Sequence, residues 1–245
     1  TLGDRPDMRL LDRCLSAVPE LLQGTSRATD VLFPEGATDL VEAIYRDNPV
    51  ADLFNEALAE VAVDLIDARI EKMPDARIRI LEIGAGTGGT TSGLLRALDA
   101  RRDCIAEYLF TDLSRAFLLT AEERFVPGRP AFRTRIFDVE RPPGEQGIDV
   151  GSYDLVVATN VLHATADIRA TLRNAKACLR RNGVVMLSEI TGTSLFTHLT
   201  FGLLDGWWRY RDGGLRVSGS PALSPDTWQR VLISEGYRSP AFPLA

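Results

Sequence analysis

The sequence predicts an α/β fold in which a mostly parallel sheet is covered by helices on both faces. Two observations lead to this prediction. Short β-branched runs alternate with helical patterns between residues 78 and 190, and these runs are almost continuously apolar, as in strands that are buried on both faces. The first run also ends in a glycine-rich turn that is followed directly by a helix.

The elements of the sheet follow one another in a regular order. Predicted strands cover residues 78–83, 108–111, 132–137, 153–159 and 184–190, and predicted helices cover residues 90–98, 114–125 and 167–180. After the last strand come an aromatic segment, a glycine-rich loop, a helix that begins at Ser224 and Pro225, and an extended piece from Tyr237. This β-α-β-α succession indicates parallel strands joined by crossover helices.

The chain before about residue 74 has helical patterns instead. Apolar residues recur at helical spacing over residues 8–23, interrupted by Pro19, and a short helix is predicted over residues 39–45. A long helix is predicted after Asn48 and Pro49, which suit the N-cap and the first helical position. Its apolar face comprises Val50, Leu53, Phe54, Leu58, Val61, Leu65 and Ile66. We therefore divide the chain into an N-terminal helical lid (residues 1–74) and a sheet domain (residues 75–245).

Composition excludes several classes of protein. The chain has 28 basic and 34 acidic residues and a net charge of −6, which argues against a nucleic-acid-binding protein. It has neither an apolar run that could span a membrane nor a signal peptide, so we expect a cytoplasmic protein without membrane contact. Three cysteines and two histidines predict neither disulfides nor a metal site. The start at Thr1, without methionine, predicts a piece of a longer polypeptide.

A glycine-rich turn follows the first strand. Gly84, Gly86 and Gly89 form a G-x-G-x-x-G pattern between a strand and a helix, which is the context of a nucleotide-binding turn. Glycines are needed there because the backbone turns tightly and a ligand approaches it closely. A purely structural turn is the other interpretation of the pattern taken alone.

Acidic residues near this turn favour one cofactor over another. Glu82 precedes the turn, and Asp112 and Asp138 end the second and third strands. A carboxylate would repel the pyrophosphate of a dinucleotide, whereas S-adenosylmethionine carries an ammonium and a sulfonium. The pattern therefore favours S-adenosylmethionine, with Asp112 on the ribose and Asp138 on the adenine amino group. The predicted cofactor site comprises Glu82, Gly84, Gly86, Thr87, Gly88, Asp112, Leu113, Asp138, Val139 and Asn160.

A histidine and a carboxylate follow the last two predicted strands. His163 lies in the loop after the fourth strand, and Glu189 lies at the end of the fifth. If these strands are neighbours, their carboxyl ends share one crevice beside the cofactor. Glu189 could then hold the His163 ring in one tautomer, so that His163 acts as a general base. A structural histidine is the alternative, and His198 is interpreted as a hydrogen-bonded helix residue.

Several stretches resemble the methyltransferase domains embedded in modular polyketide synthases and hybrid peptide synthetases. The matching stretches are residues 28–34, 48–54, 81–89, 110–114, 159–165 and 201–208. The resemblance implies a class I S-adenosylmethionine-dependent methyltransferase fold and a His–Glu pair as catalytic base, which falls on His163 and Glu189. It also implies an acyl chain tethered through phosphopantetheine to an acyl carrier protein, and flanking synthase domains in the same polypeptide.

The family has two branches, which methylate either a β-hydroxyl oxygen or the α-carbon of a β-ketoacyl thioester. The short helical N-terminus and the residues before the tandem tryptophans look more like the oxygen branch, so we expect an O-methyltransferase and keep the C-methyltransferase as the alternative. The predicted substrate pocket comprises Trp207, Trp208 and Tyr45, although the tryptophans could instead belong to the core. The family's sheet ends in an antiparallel hairpin, and here only one further strand fits, so the sheet edge stays undecided.

Two other functions compete with methyl transfer. A nicotinamide-dependent oxidoreductase could use the same glycine turn, and a docking or structural domain would use none of these residues for chemistry. For the carrier protein, the basic residues of one predicted helix are candidates for a docking surface, although a solvated helix face explains them better: Arg169, Arg173, Lys176, Arg180 and Arg181.

Overall fold

A computed structural model describes residues 5–37, 39–45 and 48–243. Its strands are β1 (Ile78–Ile83), β2 (Ile105–Asp112), β3 (Phe132–Ile136), β4 (Tyr153–Thr159) and β5 (Leu179–Ser188). All neighbouring pairs are parallel, and the strand order is β3-β2-β1-β4-β5. The order reverses between β1 and β4, which in such sheets is where a ligand binds at the carboxyl ends of the strands. The predicted α/β fold is confirmed.

Helices precede, connect and follow the strands. They are α1 (Pro6–Ser16), α2 (Val18–Leu22), α3 (Ala28–Leu32), α4 (Asp39–Tyr45), α5 (Pro49–Lys72), α6 (Gly89–Ala97), α7 (Arg115–Phe125), α8 (Ile168–Cys178), α9 (Leu195–Leu199) and α10 (Pro225–Ser234). Helices α6, α7 and α8 lie in the connections between successive parallel strands, so each follows the carboxyl end of a strand or leads into the next one. No helix among the described residues is both long and apolar enough to span a membrane.

Each face of the sheet has its own apolar core, because side chains alternate along a strand. Leu81 and Ile83 of β1 belong to the core that α8 and α10 cover, where Trp228 is buried. Ile78 and Ile80 belong to the core on the other face, which contains residues of α5, α6 and α7. Both faces of the sheet are therefore covered, as the almost uninterrupted apolar strands predict.

The helices before β1 belong to two different cores. Buried residues of α1, α3 and α4 form a third cluster, against which Phe196 of α9 and Phe201 pack. Helix α5, in contrast, shares its buried residues Ala62 and Ile66 with the core of the sheet. The division of the chain at residue 74 stays a prediction, and α5 is the part of the helical lid that packs on the sheet.

Two helical predictions need refinement. Asn48 caps α5 as predicted, since its side-chain oxygen accepts hydrogen bonds from the backbone N–H groups of the first turn. The predicted apolar face of α5 is only partly buried, however, because Val50 is 64% exposed and Leu53 is 57% exposed. The first helical stretch is interrupted at Ala17 rather than at Pro19, because Pro19 lies in the first turn of α2, where a missing N–H costs no hydrogen bond.

The end of the sheet differs from the expectation. Strand β5 begins earlier than predicted and ends at Ser188, and within the described residues no strand follows it. The extended piece from Tyr237 is not a strand. The Tyr237 hydroxyl instead donates a hydrogen bond to the main-chain oxygen of Leu172 in α8. Pro240 and Pro243 in this piece lack the N–H groups that a strand ladder needs.

Candidate active site

The carboxyl ends of β4 and β5 bring the predicted catalytic pair together. Thr159 and Ser188 are paired at the ends of these strands, and the Asn160 N–H donates a hydrogen bond of 2.7 Å to the Ser188 oxygen. Asn160 has a positive φ of 51°, which turns the chain into the short 3-10 helix that carries His163. Glu189 follows directly after β5, and its Oε2 lies 2.6 Å from His163 Nδ1.

The Glu189 carboxylate organises the whole turn. Its Oε1 accepts hydrogen bonds from the backbone N–H groups of Val161 at 3.0 Å and Leu162 at 2.8 Å. Both side chains of the pair are buried, at 6% exposure for His163 and 3% for Glu189. Because a carboxylate oxygen only accepts, the short contact assigns the proton to Nδ1 in the neutral ring and leaves the Nε2 lone pair available as a base.

The glycine-rich turn lies beside this loop. Gly84, Gly86 and Gly88 all have positive φ values, of 59°, 57° and 77°. A β-carbon at position 84 would lie 2.2 Å from Cγ2 of Val161, so the turn and the loop are in contact. Gly89, the third glycine of the sequence pattern, is the first residue of α6. A β-carbon at position 89 would have no atom within 4 Å. Position 88, rather than 89, is therefore the third position that requires glycine.

The acidic ends of β2 and β3 flank the turn. Asp112 Oδ2 accepts a hydrogen bond of 2.9 Å from the Gly86 N–H, and burial raises the pKa of this carboxyl. Asp138 Oδ1 accepts from the Glu140 N–H at 3.0 Å. Leu113 is 64% exposed directly after Asp112, whereas Val139 is buried. Thr87 is half-buried. The structure thus places these predicted cofactor residues along the same edge of the sheet as Gly84 and Asn160.

Glu82 is placed differently from the other acids. Its side chain is only 2% exposed, and Oε2 accepts hydrogen bonds from the Tyr108 hydroxyl at 2.5 Å and from the Thr91 hydroxyl at 2.7 Å. Burial raises the pKa of Glu82 to about 7, although the two hydrogen bonds act in the opposite direction. The carboxylate therefore joins β1, β2 and α6 inside the protein, below the glycine turn.

The two tryptophans of the predicted substrate pocket differ in burial. Trp207 is 7% exposed, and its ring lies edge-on to the His163 ring with 5.7 Å between the centroids. The Trp207 Nε1 is buried and has no hydrogen-bond partner among the described residues. Trp208 is half-exposed and donates to the Gly202 oxygen. Tyr45 ends α4, and its side chain lies outside the described part of the chain.

His198 has the bonding of a structural histidine. Its two ring nitrogens each lie 2.8 Å from a backbone oxygen, that of Ser194 and that of Gly219. Both nitrogens donate at once only when the ring is protonated, and these hydrogen bonds therefore raise the pKa of His198. This geometry matches the interpretation of His198 as a hydrogen-bonded helix residue rather than a second base.

Sequence reasoning missed one group at the site. The buried Arg216 side chain donates a hydrogen bond of 2.7 Å to the main-chain oxygen of His163. It also forms an ion pair with Asp212 at 2.6 Å. The four-residue spacing of these two charges is a sequence signal for an ion pair. The spacing alone does not say that the pair contacts the histidine loop.

Only three of the five basic residues predicted on one helix lie on α8, because Arg180 and Arg181 belong to β5. The three on α8 are largely used within the chain. Arg169 and Arg173 both form ion pairs of 2.8 Å with Glu235, which follows α10. Lys176 donates to the Glu235 main-chain oxygen. This face of α8 therefore holds α10 in place, and most of its positive charge is already paired.

Comparisons with known proteins agree with this geometry. A family described as "Methyltransferase domain" matches residues 81–185. Polyketide synthase PksR of Bacillus subtilis strain 168 is 52% identical over 95% of this chain, and the match spans 9% of that protein. A structure of the DszA carbon methyltransferase is 40% identical, with a TM-score of 0.89, and one of the CurJ carbon methyltransferase is 36% identical, with a TM-score of 0.85.

These matches differ in extent. The two solved structures match over 95% and 94% of this chain, and the chain covers 59% of each of them. The chain thus spans about a tenth of the length of PksR and about three-fifths of each of the two solved chains. The resemblance to the methyltransferase domains of polyketide synthases is thus confirmed over nearly the whole chain, and the chain has the fold of the class I S-adenosylmethionine-dependent methyltransferases.

Proposed function

We propose that this domain is a C-methyltransferase that methylates the α-carbon of a β-ketoacyl thioester, with His163 and Glu189 as the general base pair. The buried contact of 2.6 Å between these two side chains, beside the glycine turn, carries the proposal. The similarity to two carbon methyltransferases favours carbon over the oxygen acceptor that the sequence led us to expect. Tethering of the acyl chain to an acyl carrier protein within a larger synthase is part of the same proposal.

The residues at the turn fit S-adenosylmethionine. A positive φ at Gly84 and at Gly86 makes glycine the suitable residue at both positions. At Gly84 the Val161 side chain also occupies the space that a β-carbon would need, whereas at Gly86 that space is open. Asp112 would accept hydrogen bonds from the ribose, and the exposed Leu113 beside it would cover one face of the adenine. Asp138, Val139, Thr87 and Asn160 would complete this site. Glu82 would support the turn from below rather than contact the ammonium, because its carboxylate is already bonded to Tyr108 and Thr91.

The chemistry divides between the cofactor and this chain. S-adenosylmethionine, when bound, supplies a methyl group on a positively charged sulfur, which leaves as a neutral thioether. His163 Nε2 removes a proton from the α-carbon, whose electron pair is delocalised onto the two flanking carbonyl groups. Glu189 stabilises the imidazolium that results and keeps Nδ1 protonated throughout.

The wall next to the dyad suits an acyl chain. Trp207 presents a large apolar surface at the His163 ring, and Trp208 lies at the half-exposed rim. The Trp207 N–H has no acceptor within the described part of the chain, and a carbonyl oxygen of a β-ketoacyl thioester is a suitable one. Tyr45 remains a predicted member of this pocket.

Mass spectrometry separates the two acceptors directly. The domain is incubated with S-adenosylmethionine and either a β-ketoacyl or a β-hydroxyacyl thioester of an acyl carrier protein. We expect a gain of one methyl group on the β-ketoacyl thioester alone. A methyl group gained on the β-hydroxyacyl thioester alone would show that oxygen is the acceptor and would overturn the proposal.

A further inference from the structure

The Arg216 guanidinium is fully occupied by hydrogen bonds inside the protein. Its side chain has no exposed surface, and Nε and Nη2 donate to the two carboxylate oxygens of Asp212 at 2.6 and 3.1 Å. Nη1 donates to the main-chain oxygens of His163 at 2.7 Å and Pro221 at 2.8 Å, and Nη2 also donates to that of Thr165 at 3.0 Å. All five N–H groups of the guanidinium are therefore used.

Asp212 extends this contact to the next helix. Its Oδ2 accepts a hydrogen bond of 2.8 Å from the backbone N–H of Ile168, the first residue of α8. The N–H of the neighbouring Arg211 donates to the Ala166 oxygen at 2.8 Å. A carboxylate is favourable at the start of a helix, where N–H groups are unpaired. The segment 211–216 thus forms hydrogen bonds with four of the six residues in the stretch 163–168.

Glu189 and Arg216 hold the His163 loop from different sides. Glu189 binds the backbone N–H groups before His163 and the ring itself, whereas Arg216 binds the backbone oxygens of His163 and of Thr165. A buried ion pair adds little net stability compared with apolar groups of the same volume. Together Glu189 and Arg216 form five hydrogen bonds with the His163 loop. These bonds are better explained by a role in fixing the geometry of the loop than by a contribution to stability.

We infer that Arg216, paired with Asp212, is a positioning residue that keeps the His163 ring at the reacting carbon. This inference rests on the proposed function of His163 as the base. Arg216 acts through the backbone of the loop, and none of its hydrogen bonds among the described residues reaches the glycine turn. Its loss should therefore lower kcat and leave S-adenosylmethionine binding unchanged, because a displacement of about 1 Å costs about 100-fold in rate.

The test uses variants that differ in the charges and hydrogen-bond donors that they leave buried at positions 212 and 216. Arg216→Lys keeps the charge but loses the planar set of donors. The double variant Arg216→Met with Asp212→Asn leaves no unpaired charge and keeps an oxygen for the Ile168 N–H, so it should fold. Arg79→Gln is the matched control, because Arg79 is also an ion-paired arginine but lies at the opposite, amino-terminal edge of the sheet. For each we measure kcat, cofactor affinity and thermal unfolding.

Histidine-selective ¹⁵N labelling adds a readout independent of turnover. The chain contains only two histidines, so only two imidazole rings are observed. We expect the His163 ring signals to broaden or shift in the double variant and in Arg216→Lys, and to stay unchanged in Arg79→Gln. We expect kcat of the first two to fall by about tenfold or more, with cofactor affinity unchanged.

The outcomes separate this inference from the proposed function. Folded variants with wild-type kcat and unchanged His163 signals would overturn the positioning role. A loss of kcat that only follows a loss of folded protein, with unchanged His163 signals, would also overturn it. If the wild-type chain methylates neither thioester, the proposed function fails, and the His163 signals alone then decide whether Arg216 positions the ring.

Discussion

The His163 residue is held through three of its own atoms. Nδ1 contacts Glu189, the backbone N–H lies 3.4 Å from the same carboxylate, and the backbone oxygen accepts from Arg216. The pairing with Glu189 could be predicted from the sequence, because residues at the carboxyl ends of neighbouring parallel strands meet. The contact with Arg216 could not, because it joins residues 53 positions apart and Arg216 lies outside the helices and strands, where no periodic pattern places a side chain.

The tautomer of the His163 ring depends on Glu189, and one substitution tests this dependence. Glu189→Gln places an amide N–H group where the carboxylate now accepts from Nδ1, and this favours the ring with its proton on Nε2, which cannot act as the base. We expect kcat to fall by about 100-fold with S-adenosylmethionine affinity unchanged. Steady-state kinetics and calorimetric titration of the cofactor measure the two quantities.

A second carboxylate provides the control for this experiment. Glu235 forms ion pairs with Arg169 and Arg173 of α8, outside the loop that carries the dyad. Glu235→Gln should therefore leave kcat near the wild-type value. Equal kcat losses in the two variants would contradict a specific role of Glu189.

At the scale of the elements, one buried carboxylate of β4 joins this strand to β1, β5 and α5 at the amino-terminal edge of the sheet. Asp154 of β4 accepts a hydrogen bond of 3.0 Å from the Arg79 N–H of β1. It also forms ion pairs with Arg69 of α5 at 3.1 Å and with Arg180 of β5 at 3.2 Å. Asp154 therefore fixes the end of α5 against the sheet, on the edge opposite the active site.

Removal of this charge should loosen the packing of α5. We expect Asp154→Asn to lower the free energy of unfolding by about 2 kcal/mol, because it leaves two arginines beside a neutral group. Asp149→Asn is the control: Asp149 also pairs with Arg79, but its side chain is 64% exposed. Its loss should cost less than about 1 kcal/mol. Urea unfolding measures the free energy of unfolding of both variants. Equal losses would contradict a larger contribution of the buried Asp154 carboxylate to stability.

Helix α5 also shows what periodicity alone can predict. Its start at Asn48 and Pro49 follows from capping, and its predicted apolar stripe follows from helical spacing. The face that the structure buries differs from this stripe: besides Leu58 and Ile66 it contains Ala59 and Ala62. Val61, which belongs to the predicted stripe, is 37% exposed.

At the scale of the whole molecule, one buried acid makes stability depend on pH. The folded-state pKa of Glu82 is about 7, above the ordinary 4.5, because burial disfavours the ionised form. The folded chain therefore binds more protons at this site than the unfolded chain between these pH values. The contribution of Glu82 is most favourable below pH 4.5, is lost progressively as the pH rises to 7, and is constant above that value.

Glu82→Gln isolates this effect from all other titrating groups. The amide keeps an oxygen that accepts from Tyr108 and Thr91 but does not ionise. We expect the stability of the variant relative to the wild type to rise by about 3 kcal/mol between pH 4.5 and 7, at 1.36 kcal/mol for each unit of the shift. Denaturant unfolding at a series of pH values measures the difference. A difference that does not change with pH would contradict the raised pKa.

The sequence was sufficient to predict the architecture and the contact between His163 and Glu189, and insufficient to predict the orientation of single side chains. Strand-end rules brought Asp112, His163 and Glu189 to one edge because they depend only on topology. The same rules do not say that Glu82 faces into the protein. That orientation depends on the strand register, which places Glu82 on the same side of β1 as the buried Ile80.

The contact between Val161 and Gly84 has a consequence for evolution. The valine methyl group occupies the space that any larger residue at position 84 would need for its first side-chain atom. A smaller residue at 161 would relieve the overlap but not the left-handed backbone, which still costs an ordinary residue about 1–2 kcal/mol. Substitutions at position 84 are therefore coupled to substitutions at position 161, two positions before His163, and homologous chains should show the two sites changing together.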